Sequence, residues 1–167
     1  TYWILSEAWN ATSTKELIAM FNKCLVDNGI PIARFRIVIK TLHPQLFARG
    51  FTWNRGEEEV TEFDADFEVI NTSAYVDSPF RTIIEGSAGV RRRLEGEKPV
   101  LDYPYLVDAK EEGMTDYVAM PMEFSDGQRN VFSMVTDRKG GFSIDDLGHI
   151  YEIMPTLSRL IEMHYVR

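Results

Sequence analysis

The chain has 167 residues, of which 44% are hydrophobic, and its formal net charge is −8. This length suits one domain with a substantial core. The acidic balance argues against a nucleic-acid binder, whose surface must neutralise phosphates. The lone cysteine, Cys24, excludes an internal disulfide and argues against a cysteine-based zinc site. Because no apolar run approaches the ~20 residues that span a bilayer, we expect one cytoplasmic domain over residues 1–167.

The amino-terminal part of the chain predicts two helical segments. Residues 2–9 are rich in large apolar side chains and predict a short, half-buried helix. Ser13 followed by Glu16 has the spacing of a capping box, in which a serine side chain caps the helix start. The pair Asn28-Gly29 then predicts the end of that helix.

The next segment changes to the two-residue period of a β-strand. From 33 to 41, apolar residues alternate with a second, basic face that includes Arg34 and Arg36. Further strands are predicted at 51–55 and at 60–63, on either side of a turn. The first of these three strands is interpreted as a central strand with one basic face.

Short elements follow in the middle of the chain. Ser78-Pro79 predicts the start of a helix that ends near residue 86. Residues 90–94 predict a strand that contains three successive arginines. In a strand, Arg92 would face the opposite way from Arg91 and Arg93, so a partly solvated sheet edge is favoured over an anion site. Asp102 is a candidate cap for a helix over 103–112.

Residues 115–136 predict a β-hairpin near the centre of the sheet. A two-residue turn at Asp126-Gly127 is expected, since both residue types tolerate positive φ. That turn fixes a register in which Tyr117 and Phe132 share one face. Pro121 lacks a backbone donor, so a bulge or a missing hydrogen bond is expected there.

A long helix is predicted over 143–166, with Ser143 as its cap and a kink near Pro155. Its apolar residues follow the three- and four-residue steps of a coiled-coil seam, which predicts a dimer helix. The candidate seam residues are Leu147, Ile150, Met154, Leu157, Ile161 and His164. The whole order of elements predicts an α+β fold with a mostly antiparallel sheet and helices gathered largely on one side.

No motif for catalysis, phosphate binding or metal binding is found in the sequence. His43 follows the first strand, where a histidine can serve as a haem ligand or a hydrogen-bond donor, although a histidine bonded to its own loop is favoured. Trp53, Tyr117 and Phe132 are candidates for the wall of a small-molecule cavity, although aromatic residues at these spacings are more often part of the core. The candidate pocket residues are Arg36, His43, Trp53, Arg55, Tyr117 and Phe132.

Three strings in the chain resemble a known family. They are KTLHPQLFARGFTWNRG at 40–56, LDYPYLVDAKEEGMTDYVAMPMEFSDGQRN at 101–130 and TDRKGGFSIDDL at 136–147. The strings resemble the amino-terminal regulatory region of bacterial class III adenylate and guanylate cyclases. The resemblance implies a GAF-like fold, the fold of many signalling sensor domains.

The resemblance also implies a role for each part of the chain. The domain would be a homodimer that passes a signal through its terminal helix to a cyclase domain following residue 167. The chain itself would then have no catalytic activity, no metal and no cofactor, and an unidentified small molecule would be its ligand. The alternative is a ligand-free structural module that only dimerises or holds partners together.

Overall fold

The computed structural model describes residues 7–41 and 44–165. Five α-helices are found in these ranges: α1 (Thr14–Asp27), α2 (Ser73–Val76), α3 (Pro79–Ile84), α4 (Pro104–Glu111) and α5 (Ile144–Tyr165). The strands are β1 (Arg34–Lys40), β2 (Leu46–Asn54), β3 (Thr61–Asp66), β4 (Val90–Arg93), β5 (Asp116–Glu123) and β6 (Arg129–Thr136). Short 3-10 helices occupy Ala8–Asn10 and Phe67–Asn71. Most of the helical segment predicted at 2–9 lies outside the described residues.

The strands of the described chain form one six-stranded sheet in the order β3-β2-β1-β6-β5-β4. Every neighbouring pair is antiparallel, which confirms the predicted sheet type. The hairpin β5–β6 forms as predicted, and β6 and β1 are the two central strands. The middle of the sheet is therefore shared between the hairpin and the strand that carries Arg36.

The serine caps predicted from the sequence are confirmed. Ser13, Ser78 and Ser143 each accept a hydrogen bond from the backbone N–H three residues later, at 3.1, 3.3 and 3.0 Å. Asp102 does not cap α4, because its carboxylate instead accepts hydrogen bonds from Arg92 on β4 at 2.8 and 2.9 Å. An ion pair with a neighbouring element has replaced the local cap.

Two long helices, α1 and α5, cover one face of the sheet, which we call the helix face. Phe35 of β1 lies at its centre, with its ring 5.7 Å from that of Phe21 on α1 and 5.9 Å from that of Phe132 on β6. The core continues along α1 and α5 through the buried residues Leu17, Ile18, Leu25, Ile150, Met154, Leu157, Leu160 and Ile161.

This packing corrects the predicted dimer seam. Ile150, Met154, Leu157 and Ile161 are all buried on the helix face, at 7% exposure or less. They therefore contact the domain's own sheet and are not available to a partner chain. The same periodicity serves both arrangements, because a helix on a sheet and a helix in a coiled coil each need one apolar stripe.

The opposite face of the sheet carries the short helices and a second core. Ile83 of α3 and Leu106 of α4 pack there against strand residues of β5 and β6. Tyr117 and Val135 belong to this core. We call this side the cavity face, because it holds the cavity described below.

The hairpin turn differs from the prediction by one residue. The Phe124 N–H donates to the Gln128 carbonyl at 2.9 Å, so the loop contains the three residues Ser125–Gly127. Gly127 has φ +85, whereas no described residue other than glycine has positive φ, and the two-residue turn needs positive φ at both positions. The Asp126 carboxylate instead accepts a hydrogen bond from the Gln128 N–H at 2.8 Å.

This shift moves every β6 side chain to the other face relative to β5. Met120 pairs with Phe132 on the helix face, and Tyr117 pairs with Val135 on the cavity face. Tyr117 and Phe132 therefore point to opposite sides of the sheet. The expected bulge at Pro121 is also wrong, since the register runs unbroken from Asp116 to Glu123. Successive backbone N–H groups of β5 point alternately toward β6 and away from it, and that of Phe124 points toward β6. The nitrogen of Pro121 therefore points away from β6, to the side of β4. Strand β4 begins at Val90, opposite Ala119, so no residue of β4 is paired with Pro121.

Candidate ligand cavity

Two cavities of about 250 and 100 Å³ lie on the cavity face of the sheet. Both are lined by Arg36 from β1 and by Ala74, Ser78 and Phe80 from the segment that contains α2 and α3. Because they share these walls, we treat them as two ends of one site and call it the Arg36 cavity. Its combined size is near the lower end of the range typical of small-molecule sites.

The larger end of the Arg36 cavity is apolar. Phe47 lies at its wall, with its ring 5.9 Å from that of Phe67 and 5.6 Å from that of Tyr75. The ladder between β2 and β3 shifts register next to Phe47. The remaining lining consists mainly of Val38, Ala48, Phe63, Ala65, Val69 and Ile84. Apart from Arg36, no charged side chain lines this end.

The smaller end is polar and aromatic. Arg36 is half-buried there, donates from Nε to the Thr52 hydroxyl at 3.1 Å and places its guanidinium carbon 5.7 Å from the centre of the Tyr105 ring. Tyr117 and Ser133 complete the wall. An aromatic face and a hydroxyl therefore hold the arginine in place.

The two tyrosines at this end are themselves positioned by the sheet. The Tyr105 hydroxyl accepts a hydrogen bond from Arg34 at 2.9 Å, and its ring centre lies 5.6 Å from that of Tyr117. Tyr117 is only 1% exposed, and this burial raises the pKa of its phenol well above the ordinary value. The side chain of Ser133 acts in the opposite direction on this pKa, but burial has the larger effect. The polar end thus offers neutral hydroxyls beside a single positive charge.

The structure brings together only two of the six candidate pocket residues. Arg36 and Tyr117 line the Arg36 cavity, whereas Trp53 and Phe132 belong to the core on the helix face. Arg55 is exposed and pairs with Asp137 at 2.5 Å. His43 lies outside the described residues.

The sequence prediction missed the cavity walls that come from the short helices. Ser78, Phe80 and Tyr105 lie 40 to 70 residues from Arg36 along the chain. A partial signal existed, because Ser78-Pro79 and Pro104 mark helix starts next to these aromatic residues. Nothing in their spacing, however, indicates that the two helices cover the same strand.

A second concavity of about 390 Å³ lies between β5 and α5. Phe132 and Met120 form its floor, while Tyr151 and Arg159 of α5 form its rim. Tyr151 is 69% exposed. This concavity is therefore a surface groove beside the terminal helix.

Strand β5 also anchors the start of α5. The Asp116 carboxylate is fully buried, accepts a hydrogen bond from the Phe142 N–H at 3.0 Å and pairs with Arg91 at 2.9 Å. The Cα of Gly141 approaches so closely that an added Cβ would lie 2.5 Å from the carboxylate. We call Arg91, Asp116, Gly141 and Phe142 the Asp116 cluster. It joins the first residue of β5 to the chain immediately before α5.

The described residues contain no group of three or more histidine, cysteine or carboxylate side chains arranged to hold a metal. None of the helices in the described ranges combines the length and apolar composition needed to cross a bilayer.

Solved structures with a similar fold include several GAF domains. The phycocyanobilin-bound GAF domain of a cyanobacterial phytochrome aligns with a TM-score of 0.59 and 14% identity, over 99% of this chain and 95% of that one. The GAF domain of A. aeolicus nlh2 gives a TM-score of 0.58 and 10% identity, over 99% and 92%. The GAF domain of a sensor histidine kinase from Bacillus halodurans gives 0.56 and 12%, over 85% and 91%.

No protein-family model matches the sequence, and no curated protein matches it either. At 10 to 14% identity, the structural likeness concerns the fold alone. The predicted fold class is confirmed: the chain has a GAF-like fold with a six-stranded antiparallel sheet and a long terminal helix.

Proposed function

We propose that this chain is a cytoplasmic sensor domain that regulates a bacterial adenylate or guanylate cyclase. A small molecule binds in the Arg36 cavity, and α5 passes the resulting change to a catalytic domain that follows the chain. The GAF-like fold supports a sensor role, since the similar structures include a sensor histidine kinase and a phytochrome. The three sequence strings at 40–56, 101–130 and 136–147 support the link to cyclases.

One observation carries this proposal: β5 connects the cavity to the terminal helix. Tyr117 lines the Arg36 cavity, and its neighbour Asp116 holds the Phe142 N–H just before α5. Consecutive strand residues point to opposite faces of the sheet. A ligand that displaces Tyr117 on the cavity face would therefore also displace Asp116, and with it the Phe142 N–H, on the helix face. A ligand that favours one position of β5 would thereby favour one position of α5.

The partner surface of α5 is its outward stripe, since the inward stripe is buried. Ile144 is 85% exposed, Tyr151 is 69% exposed and Met163 is 38% exposed. Together with the exposed Pro155, they lie within about one third of the helix circumference. We expect the homodimer to form through this stripe.

Sedimentation velocity on the purified chain tests the dimer. We expect a dimer at high micromolar concentration that Tyr151→Asp converts to a monomer. Val100→Asp is the matched control, because Val100 is 61% exposed but lies between β4 and α4. A wild-type chain that stays monomeric, or equal effects of the two substitutions, would contradict the proposed interface.

Thermal unfolding with a panel of small molecules tests the sensor role. A ligand at 100 times its Kd stabilises the native state by about 2.7 kcal/mol and raises the melting temperature. We also expect the chain alone to form no cyclic nucleotide from ATP or GTP. If the chain dimerises but no compound stabilises it, the ligand-free structural module becomes the better account.

A further inference from the structure

Most arginines in the described part of this acidic protein are paired with a carboxylate. Nine of the eleven arginines in the described ranges pair with a carboxylate within 4 Å. Among the described residues, the two exceptions are Arg36 and Arg93. Arg93 is exposed to solvent at the sheet edge, whereas Arg36 is half-buried in a cavity. Of the two unpaired guanidiniums in the described ranges, that of Arg36 is therefore the one that lines a cavity.

The geometry leaves the ligand-binding edge of Arg36 available. Its Nε is occupied by the Thr52 hydroxyl, and no described residue accepts a hydrogen bond from its two terminal amino groups. A guanidinium matches the two oxygens of a carboxylate through parallel hydrogen bonds. The guanidinium carbon also lies 5.7 Å from the centre of the Tyr105 ring, within the range of a cation–π contact. Arg36 is thus oriented to receive an anion.

The surroundings restrict the charge and shape of that anion. Arg36 is the single charged residue lining the Arg36 cavity, so a monoanion would be neutralised and a dianion would not. The polar end has only about 100 Å³, which favours a planar carboxylate over a bulkier group. The adjoining 250 Å³ is walled mainly by Phe47, Phe63 and Phe80 with small aliphatic residues, which suits an apolar body.

We propose that the Arg36 cavity binds a small organic acid, with the carboxylate on Arg36 and an apolar or aromatic body under α2 and α3. This inference rests on the proposed sensor function and names the class of its ligand. The hydroxyls of Ser78, Tyr117 and Ser133 lie around the carboxylate end. The overall net charge of −8 repels anions at long range, so recognition depends on this one local cation.

Isothermal titration calorimetry on the purified chain tests the ligand class. The probes are 4-phenylbutyrate, 3-phenylpropionate and hexanoate, and each is paired with its neutral amide. We expect at least one acid to bind, and its amide to bind at least 10-fold more weakly. The amide should bind more weakly because it lacks the carboxylate that makes a charge-assisted, bidentate contact with Arg36.

Two variants identify the residue responsible. Arg36→Gln should lower the affinity for the acid by roughly 10- to 100-fold and leave the affinity for the amide unchanged. Arg93→Gln makes the same substitution at the other unpaired arginine and should change neither affinity. Arg36→Lys keeps the positive charge but cannot donate two parallel hydrogen bonds to a carboxylate, so an intermediate affinity for the acid is expected. Circular dichroism and the urea midpoint check that each variant is folded.

The outcomes separate this inference from the sensor proposal. Acids and amides that bind equally, or an Arg36→Gln variant that keeps the wild-type affinity for acids, would overturn the organic-acid inference. Neutral compounds that bind where no acid does would also overturn it, while leaving the sensor function intact. If nothing in a broad panel of acids and neutral compounds binds, both proposals fail together.

Discussion

Replacement of Gly141 by alanine should destabilise the domain strongly, because the new methyl group would overlap a buried carboxylate. A Cβ built on Gly141 lies 2.5 Å from Oδ2 of Asp116 and 2.8 Å from its Cβ. Contacts below 3.0 Å require atoms to move. Asp116 is fully buried, so it has no solvent into which to move.

Two costs add to give the expected magnitude. Gly141 has φ +75, and a residue with a Cβ pays about 1–2 kcal/mol there. Displacing Asp116 weakens its bond from the Phe142 N–H and its pair with Arg91. Breaking a buried ion pair costs about 3–5 kcal/mol, and we take the lower end because Arg91 is 33% exposed. The free energy of unfolding should therefore fall by about 4 kcal/mol, a large part of the roughly 5–15 kcal/mol of a typical domain.

Urea unfolding followed by circular dichroism measures this loss. Gly140→Ala is the control: Gly140 has φ +91, but an added Cβ there meets nothing within 4 Å. It should cost only the backbone part, about 1–2 kcal/mol. In an Asp116→Ala background the carboxylate is gone and only the 2.8 Å contact with the remaining Cβ persists, so Gly141→Ala should cost clearly less than in the wild-type chain. Equal losses for the two glycine variants, or an undiminished loss in the Asp116→Ala background, would refute the reasoning.

Three further predictions test other parts of the structure. Pro121→Ala should change stability by less than about 1 kcal/mol, whereas Met120→Pro should cost about 3 kcal/mol or more by removing a donor to β6; equal urea midpoints would contradict the assigned register. Leu157→Ala should cost about 2–5 kcal/mol in the monomer, because Leu157 is fully buried against the sheet; a loss seen only on dimerisation would restore the predicted seam. The hydrogen bond from Arg55 holds the pKa of Asp137 below its ordinary value of 3.8. The native carboxylate thus binds a proton less readily than the unfolded one, so the pair stabilises the fold above about pH 4 and is lost as pH falls through the folded pKa. Both side chains are 42% exposed, so this contribution is only a fraction of 1 kcal/mol. Arg55→Gln should reduce the difference between urea midpoints at pH 7 and pH 3, and an unchanged difference would count against the assignment.

The elements that were predicted correctly depend on local chemistry. Serine caps at Ser13, Ser78 and Ser143 need only a side-chain oxygen and a backbone N–H three residues away. The two faces of β1 follow from strict alternation, and Arg36 was placed on the correct face for this reason. Such features are visible in a sequence because both partners lie within a few residues.

The hairpin register shows where local reasoning reached its limit. Asp126-Gly127 is a turn signal, but it fits both a two-residue and a three-residue loop. The choice depends on whether Asp126 adopts positive φ, and its carboxylate bond to Gln128 favours the alternative. A difference of one residue then exchanged the faces of Phe132 and Val131. Of the six predicted pocket residues, Phe132 was placed on the wrong face through this single step.

The apolar stripe on α5 illustrates a different limit. Residues such as Ile150 and Leu157 repeat every three or four positions, and that pattern specifies a buried stripe without specifying what buries it. The structure resolves the ambiguity, because the domain's own sheet occupies the stripe. The surface left for a partner is marked by isolated exposed residues, such as Ile144 and Tyr151. Two isolated residues give no period that a sequence pattern can detect.

The family-like strings acquire a physical meaning in the Asp116 cluster. Asp116 belongs to the string at 101–130, and Gly141 and Phe142 belong to the string at 136–147. These two strings meet where the carboxylate accepts the Phe142 N–H and fills the space that a side chain at 141 would need. Neither string contains reactive chemistry, yet together they determine where α5 begins relative to β5. Since Tyr117 of the same strand lines the Arg36 cavity, strand β5 connects the wall of that cavity to the start of α5.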